Sequence, residues 1–243
     1  MYLEAGVAAA DQALAAAMAT LAPLPLLHQP GSAWEDSVAP DVLARVVEVV
    51  SGQGFDRFLA AQVTGPLKMA DTGYALAPAV QGRVAMPAVD PLTGAPPPSP
   101  DGRGVPVRMG GAGGLFSTAG DMLRFGQALL GGGMLDGVRL LGAGTVALML
   151  GDHLGRISRE TASGAYLLGE GRGYGLGLSV RLGAGVSPMP GSTGDVEWMG
   201  ATGCQLVVDP EREMVAVLMV NQASQFDHLF RLFRTLVYQA IIK

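Results

Sequence analysis

Residues 196–220, VEWMGATGCQLVVDPEREMVAVLMV, decide the fold class of this 243-residue chain. Three short runs within them, 196–201, 203–208 and 214–220, are rich in β-branched and apolar residues, which is typical of strands. The turn-forming motif Asp209-Pro210-Glu211-Arg212 separates the last two runs. These two strands are therefore predicted to pair antiparallel.

Two further patterns flank this region. Apolar residues alternate strictly with glycine or polar residues over 174–182, which predicts one more strand. After the strands in the sequence, apolar residues at helical spacing predict a closing amphipathic helix. They are Phe226, Leu229, Phe230, Phe233, Leu236, Val237 and Ile241.

The first 170 residues carry helical patterns and loops. Alanine-rich residues 5–22 predict one helix, and a second begins near Pro40. The predicted apolar face of the second helix consists of Leu43, Val46, Val47 and Val50. Thr118 is expected to cap a third helix with Asp121 in its first turn. Six prolines and three glycines over 88–106 predict a long loop.

The order of these elements defines an α+β fold, with a mainly helical and loop region over 1–170 and antiparallel strands plus a C-terminal helix over 171–243. One domain spanning 1–243 is expected.

Composition narrows the classes of function. Hydrophobic residues make up 49% and charged residues 15% of the chain, which is typical of a globular protein. The formal net charge of −5, without a basic run, argues against a nucleic-acid partner. Cys204 is the only cysteine, which excludes an internal disulfide and a multi-cysteine metal site.

Localisation is predicted from what the N-terminal sequence lacks. No run reaches the roughly 18 consecutive apolar residues that a membrane span needs. Glu4 and Asp11 make the N-terminus a poor signal peptide. A cytoplasmic protein without a membrane partner is the default expectation.

Several segments together resemble the penicillin-recognising serine hydrolases, above all their β-lactamase-related esterase branch. PGSAWEDS at 30–37 followed by DVL at 41–43 is similar to that family's PGxxWxYS…DVLG segment. GAGGLFSTAGDMLRF at 111–125 is similar to its GGGLxSTxxDxxRF segment. VEVVSG at 47–52, PLKMADTGY at 66–74, GYGLGL at 173–178 and DPERE at 209–213 follow the same order. No single segment is specific, but their order and spacing make chance improbable.

The resemblance implies an acyl-enzyme mechanism with three site elements. A Ser-x-x-Lys motif supplies the nucleophile, since a hydroxyl needs a base to become reactive. A tyrosine in a loop assists proton transfer. A strand carrying Lys-Thr-Gly, Trp-Gly-Gly or a similar motif donates a backbone N–H to the oxyanion.

These three elements are unequally represented here. No Ser-x-x-Lys occurs in the sequence, since Gly65 and Ala240 stand three residues before the two lysines. The family's serine lies upstream of the matched segment, so the resemblance implies a domain truncated at its N-terminus.

The tyrosine position is held by Asp36, whose carboxylate is a candidate proton acceptor. The third element is WMGA at 198–201, with Met199 in place of a small residue. Ala201 N–H is the candidate oxyanion donor, and Ser37, Trp198 and Gly200 are the candidate substrate-binding residues.

Other chemistry finds little support. The sequence PGSTG around Ser192 is similar to the G-x-S-x-G motif of a nucleophile elbow. Pro190, however, stands where the first glycine of that motif is needed. His28, His153 and His228 lack metal-ligand spacing, so neither a metal nor another cofactor is predicted. A Ser–His–Asp triad assembled in space stays open.

Two interpretations of function remain. In the first, the chain is the C-terminal part of a serine hydrolase for small esters or amides, inactive alone because its nucleophile is absent. In the second, it is a non-catalytic binding or assembly protein that keeps the family's cleft.

Assembly with another chain is also expected. In the family that this chain resembles, an N-terminal segment adds a helix and strands to the same sheet. Without that segment one sheet edge and the apolar faces of Leu229, Phe233 and Leu236 would be left open, which predicts a homo-oligomer or pairing with a separate N-terminal fragment.

Overall fold

A computed structural model describes residues 2, 4–7, 9, 11–90, 93–96, 102 and 104–242. The α-helices are α1 (Leu14–Leu21), α2 (Ala39–Ser51), α3 (Phe55–Leu59), α4 (Ala119–Leu130), α5 (Ala143–Leu150) and α6 (Phe226–Gln239). Two π-helical turns, Ala60–Thr64 and Gly164–Leu168, and two 3-10 turns, Pro78–Arg83 and Ala223–Gln225, join them. The strands are β1 (Met134–Leu135), β2 (Val138–Arg139), β3 (Arg172–Tyr174), β4 (Ser179–Arg181), β5 (Val196–Met199), β6 (Gln205–Asp209) and β7 (Met214–Leu218).

Strands β3 to β7 form one antiparallel sheet in chain order, and β1 pairs with β2 in a separate hairpin. The predicted hairpin around Asp209 is confirmed, because β6 pairs antiparallel with β7 from Gln205↔Leu218 to Asp209↔Met214. In its turn, Arg212 N–H donates to Asp209 Oδ1 at 3.2 Å. The predicted α+β class is also confirmed.

The single strand predicted over 174–182 is wrong. The chain turns back between β3 and β4, which pair antiparallel from Arg172↔Arg181 to Tyr174↔Ser179. Gly177 adopts a φ of +93°, a conformation that glycine reaches without steric cost. Because the alternation continues through the turn, periodicity alone could not reveal the reversal.

Helix α4 begins as predicted, and its inner face packs on the sheet. Thr118 Oγ1 accepts the Asp121 N–H at 3.2 Å and caps the helix. Leu129 belongs to the main core with Val196, Leu206 and Val208 on the facing side of the sheet.

In helix α2 most of the face predicted to be buried is exposed, and a polar residue is buried instead. Val46 is 51% exposed and Val50 82% exposed, whereas Asp41 is 3% exposed. Asp41 Oδ1 accepts the Ala112 N–H at 2.9 Å, and Asp41 Oδ2 pairs with Arg108 Nη1 at 3.3 Å. This carboxylate therefore joins α2 to the glycine-rich loop before α4, and the apolar face stays on the surface.

The outward apolar face of α2 borders an open groove with α1. The groove encloses about 370 Å³. Its lining is apolar apart from Arg45 and includes Met18, Leu21, Val46 and Val50.

The N-terminal helix is shorter than predicted, since α1 starts at Leu14 within the expected 5–22. Gly6 adopts a φ of +73°, which is incompatible with a right-handed helix and interrupts the predicted segment before α1. The predicted loop over 88–106 lies partly outside the described residues. None of the described helices is long and apolar enough to cross a membrane.

Helix α6 covers the second face of the sheet, but its buried residue is polar. Arg234 is 1% exposed, whereas Leu236, predicted to be on the inner face, is 54% exposed. Leu229, Phe230 and Phe233 are half-buried. The helix is therefore attached to the sheet through a buried charged side chain as well as through half-buried apolar residues.

The charges beneath α6 form one connected network. Arg234 Nη2 lies 2.5 Å from Asp195 Oδ2, and Arg234 Nη1 pairs with Glu197. Arg172 Nη1 pairs with Asp195 Oδ1 at 2.9 Å, and its Nε lies 3.0 Å from Glu197 Oε1. Arg181 Nε contacts Asp195 Oδ2 at 2.8 Å. Three guanidiniums thus surround two carboxylates, and each of the five side chains is at most 5% exposed.

Candidate active site

An aromatic cluster joins three distant parts of the sequence. The Trp34 and Tyr174 ring centroids are 5.0 Å apart, and those of Tyr174 and Trp198 are 5.4 Å apart with an edge-on geometry. Tyr174 ends β3, Trp198 lies on β5, and Trp34 lies in the loop before α2. The cluster therefore brings the segment of the candidate Asp36 to the strand of the candidate Trp198.

The loop that carries Trp34 is held by residues after α5. Trp34 N–H donates to the Ser158 carbonyl at 2.8 Å, and Thr161 Oγ1 donates to the Trp34 carbonyl at 2.8 Å. The Ser163 hydroxyl donates to Glu35, whose other oxygen lies 3.5 Å from His28 Nε2. The Ser163 hydrogen bond, with support from His28, holds the pKa of Glu35 below its usual value.

Asp36 and Tyr174 are electrostatically coupled. Although Asp36 has an exposed side chain, partial desolvation raises its pKa, and the neighbouring Glu35 charge acts in the same direction. Burial raises the pKa of Tyr174, and the Asp36 charge raises it further. Tyr174 therefore keeps its proton at neutral pH, and the charge of Asp36 acts on its hydroxyl group.

The candidate oxyanion donor lies in a turn, which corrects the predicted strand end. Strand β5 ends at Met199, and Gly200 N–H donates to the Cys204 carbonyl at 2.8 Å. Ala201 follows in the turn with an exposed side chain. Among the described residues its backbone N–H has no acceptor, which leaves the donor open to a ligand.

Trp198 and Met199 lie beyond the last paired residue of β4. The β4–β5 register ends at Ser179↔Glu197, so that the last two residues of β5 have no partner on β4. Trp198 packs against the main core, whereas Met199 lines a cavity beneath α6. The methionine therefore occupies the opposite face of the sheet from Trp198, and not the space in front of Ala201.

Ser37 has a structural contact of its own. Its hydroxyl oxygen accepts the Ala39 N–H at 3.1 Å, at the start of α2. The substrate-binding roles of Ser37, Trp198 and Gly200 and the catalytic role of Asp36 stay predictions.

The alternative centres at Ser192 and His153 show no catalytic arrangement among the described residues. Ser192 is 5% exposed, and its hydroxyl has no hydrogen-bond partner in the described part of the chain. His153 Nε2 lies 2.6 Å from the Leu148 carbonyl, and no hydrogen bond joins it to a serine within the described part of the chain. Within residues that the structure describes, no three His, Cys, Asp or Glu side chains gather in a possible metal site.

Tyr174 is the site residue that the sequence did not identify as functional. It stands in the GYGLGL segment, where the alternating pattern assigned it to a packing face. Its contact with both tryptophans depends on the hairpin that the pattern concealed.

The fold and this constellation define a member of the β-lactamase family, whose model matches residues 2–238. The chain belongs to this family of serine hydrolases, which includes esterases. No Ser-x-x-Lys motif accompanies the match.

Individual relatives agree with this assignment. Protein Rv1367c of Mycobacterium tuberculosis is 35% identical over 215 residues, covering 84% of this chain and 52% of the relative. Esterase EstB of Burkholderia gladioli is 30% identical over 224 residues, covering 84% and 54%. The chain thus spans about half the length of these curated relatives.

A solved structure shows the same fold. EstCE1, described as a hydrolase with promiscuous acyltransferase activity, superposes with a TM-score of 0.80 at 25% identity. The superposition covers 98% of this chain and 65% of EstCE1.

Proposed function

We propose that this chain forms the oxyanion and substrate side of a carboxylesterase-like site for small esters or amides. The observation that carries the proposal is the Ala201 N–H, which has no acceptor among the described residues and follows directly after the strand that brings Trp198 into the cluster with Tyr174. A preset backbone donor stabilises the oxyanion of acyl transfer. The similarity to esterase EstB supports ester chemistry.

The 243 residues by themselves are not expected to form an acyl-enzyme. A serine becomes a nucleophile only with a base in reach, and the sequence has no Ser-x-x-Lys. Neither Ser37, which accepts a backbone N–H, nor the buried Ser192 has such a base.

Incubation with a fluorophosphonate should therefore leave the intact mass of the purified chain unchanged. Hydrolysis of p-nitrophenyl acetate should likewise not exceed that of a Trp198→Ala variant. Ser37→Ala and Ser192→Ala would locate any adduct that formed. A stoichiometric adduct on one serine would contradict the proposed division of the site and reveal a base near that serine.

The second candidate function is a non-catalytic binding or assembly protein that keeps the cleft. The outward apolar face of α2 supports it, because such faces are commonly covered by another chain. We propose that this face, and not the predicted face of α6, makes the contact in a homo-oligomer or with an N-terminal fragment.

A charge on the α2 face should therefore separate the assembly. Val50→Glu is expected to convert an oligomer at micromolar concentration into a monomer by light scattering. Val105→Glu, at a residue that is 70% exposed elsewhere, is the matched control. A wild-type monomer, or equal behaviour of both variants, would argue against this contact.

A further inference from the structure

The carboxylate of Asp152 is bound to the backbone of Tyr174, the residue whose ring contacts both tryptophans of the aromatic cluster. Asp152 Oδ1 accepts the Tyr174 N–H at 3.0 Å, and the neighbouring His153 N–H donates to the Tyr174 carbonyl at 2.9 Å. Both backbone groups of Tyr174 are thus held by the segment that follows α5. This segment therefore fixes the backbone from which the Tyr174 ring extends.

The close approach of this carboxylate to β3 depends on a glycine. A Cβ at Gly173 would collide with the Asp152 carboxylate, so only glycine leaves room for it. Asp152 Oδ1 also accepts the Leu154 N–H at 3.1 Å. Partial burial acts to raise the pKa of Asp152, but the two backbone donors and the charge of Arg159 hold this pKa below its usual value. Asp152 is therefore ionised at neutral pH.

The second oxygen of Asp152 reaches the segment that holds the Trp34 loop. Asp152 Oδ2 accepts from Arg159 Nη2 at 3.3 Å, and the two side chains are 21% and 29% exposed. Arg159 follows directly after Ser158, whose carbonyl accepts the Trp34 N–H. One carboxylate therefore joins the segment that binds Trp34 to the tyrosine that contacts Trp198.

We propose that Asp152 is a positioning residue for the candidate active site. It sets the spacing between the Trp34 loop and the strand of Trp198, and it acts through Tyr174 and Arg159 without touching a substrate. Its importance for acyl transfer rests on the proposed function, whereas its control of the aromatic cluster does not.

Tryptophan spectroscopy tests this role directly, because Trp34 and Trp198 are the only tryptophans in the chain. Asp152→Ala is expected to weaken the near-ultraviolet circular dichroism of the cluster and to increase quenching of the tryptophan emission by acrylamide. The far-ultraviolet spectrum should stay unchanged well below the melting temperature. Asp152→Asn keeps an acceptor for the backbone N–H groups but loses the ion pair, so it should restore part of the signal.

The two tryptophans can also be followed one at a time. In a Trp198→Phe background, Arg159→Met should increase the quenching of Trp34, because the segment that binds the Trp34 loop loses its tie to Asp152. In a Trp34→Phe background, the same change should leave Trp198 nearly unaffected. Asp152→Ala should act on both tryptophans.

Binding of 4-fluorophenyl acetate, followed by fluorine NMR, connects the cluster to the proposed site. Asp152→Ala should weaken this binding several-fold, and Asp152→Asn should weaken it less. Asp71→Ala is the matched control, because it removes a partly exposed carboxylate that is paired with Arg83 at 2.7 Å. This control should change neither the binding nor the tryptophan signals.

Each outcome decides one question. Unchanged tryptophan signals in Asp152→Ala, or changes no larger than those in Asp71→Ala, would overturn the positioning role. Tryptophan signals lost only together with the far-ultraviolet signal would also overturn it, and if Asp152→Ala does not fold, Arg159→Met decides at Trp34. A wild-type chain that does not bind the ester, with both tryptophans still altered by Asp152→Ala, would contradict the proposed function and leave the positioning role standing.

Discussion

Arg234→Leu is expected to lower the free energy of unfolding by about 3–5 kcal/mol, because it leaves two buried carboxylates with too few partners. Arg234 is 1% exposed and donates to Asp195, Glu197 and the Pro190 carbonyl. Leucine fills part of the space but supplies no donor. The measurement is urea denaturation followed by circular dichroism.

Two companion variants separate charge from geometry. Arg234→Lys keeps the charge but not the planar fork that reaches several acceptors, so an intermediate loss is expected. Arg231→Leu, exposed on the same helix, should change stability by no more than about 0.5 kcal/mol. Similar losses for Arg234→Leu and Arg231→Leu would show that the network does not hold α6 on the sheet.

Asp41→Ala is expected to lower the free energy of unfolding by a similar 3–5 kcal/mol. The substitution removes the partner of Arg108, whose side chain is 12% exposed, and the acceptor of the Ala112 N–H. Gly110 lies directly against the Asp41 carboxylate, so a void would also form beside the glycine-rich loop. Thermal and urea unfolding both measure the loss.

The origin of this loss can be separated with further variants. Asp41→Asn keeps an acceptor for Ala112 and should lose less. Adding Arg108→Met to Asp41→Ala should recover part of the stability, since no unpaired charge then remains buried. Glu211→Ala, in the exposed turn between β6 and β7, is the neutral control. A loss for Asp41→Ala no larger than for Glu211→Ala would contradict the structural role given to this carboxylate.

Local patterns predicted the parts of the fold that depend on local forces. The turn at Asp209 and the pairing of β6 with β7 follow from turn chemistry over a few residues. The Thr118 cap follows from one side chain and the first turn of α4. Both interactions form between residues that are close in sequence, so a short segment is enough to predict them.

Hydrophobic periodicity misled where it was taken as evidence of burial. The apolar residues of α2 do share one face of the helix. That face lies mostly on the surface, whereas Asp41 is buried. In α6 the buried residue is Arg234, whose partners are about 40 residues away in the sequence. A periodic pattern reports that a face is apolar, but not which neighbour covers it.

The candidate site likewise has parts that sequence motifs identified and a part that only the tertiary structure revealed. The motifs identified Trp198, Gly200 and Ala201 as one element and Asp36 as another, but only their order suggested that they meet. Tyr174 makes the connection through its contacts with both tryptophans. Its contribution depends on the hairpin between β3 and β4, which strict alternation had hidden.

The sequence by itself determined the α+β order of elements, the absence of a Ser-x-x-Lys motif and the family to which the chain belongs. These properties depend on residue identity and on spacing along the chain. Only the tertiary structure decided that Arg234 of α6 is buried against two carboxylates of the sheet, that Met199 lines a cavity behind β5, and that Tyr174 contacts both tryptophans of the candidate site. Those properties depend on contacts between residues far apart in sequence, whose free energy is realised only when the whole fold brings them together.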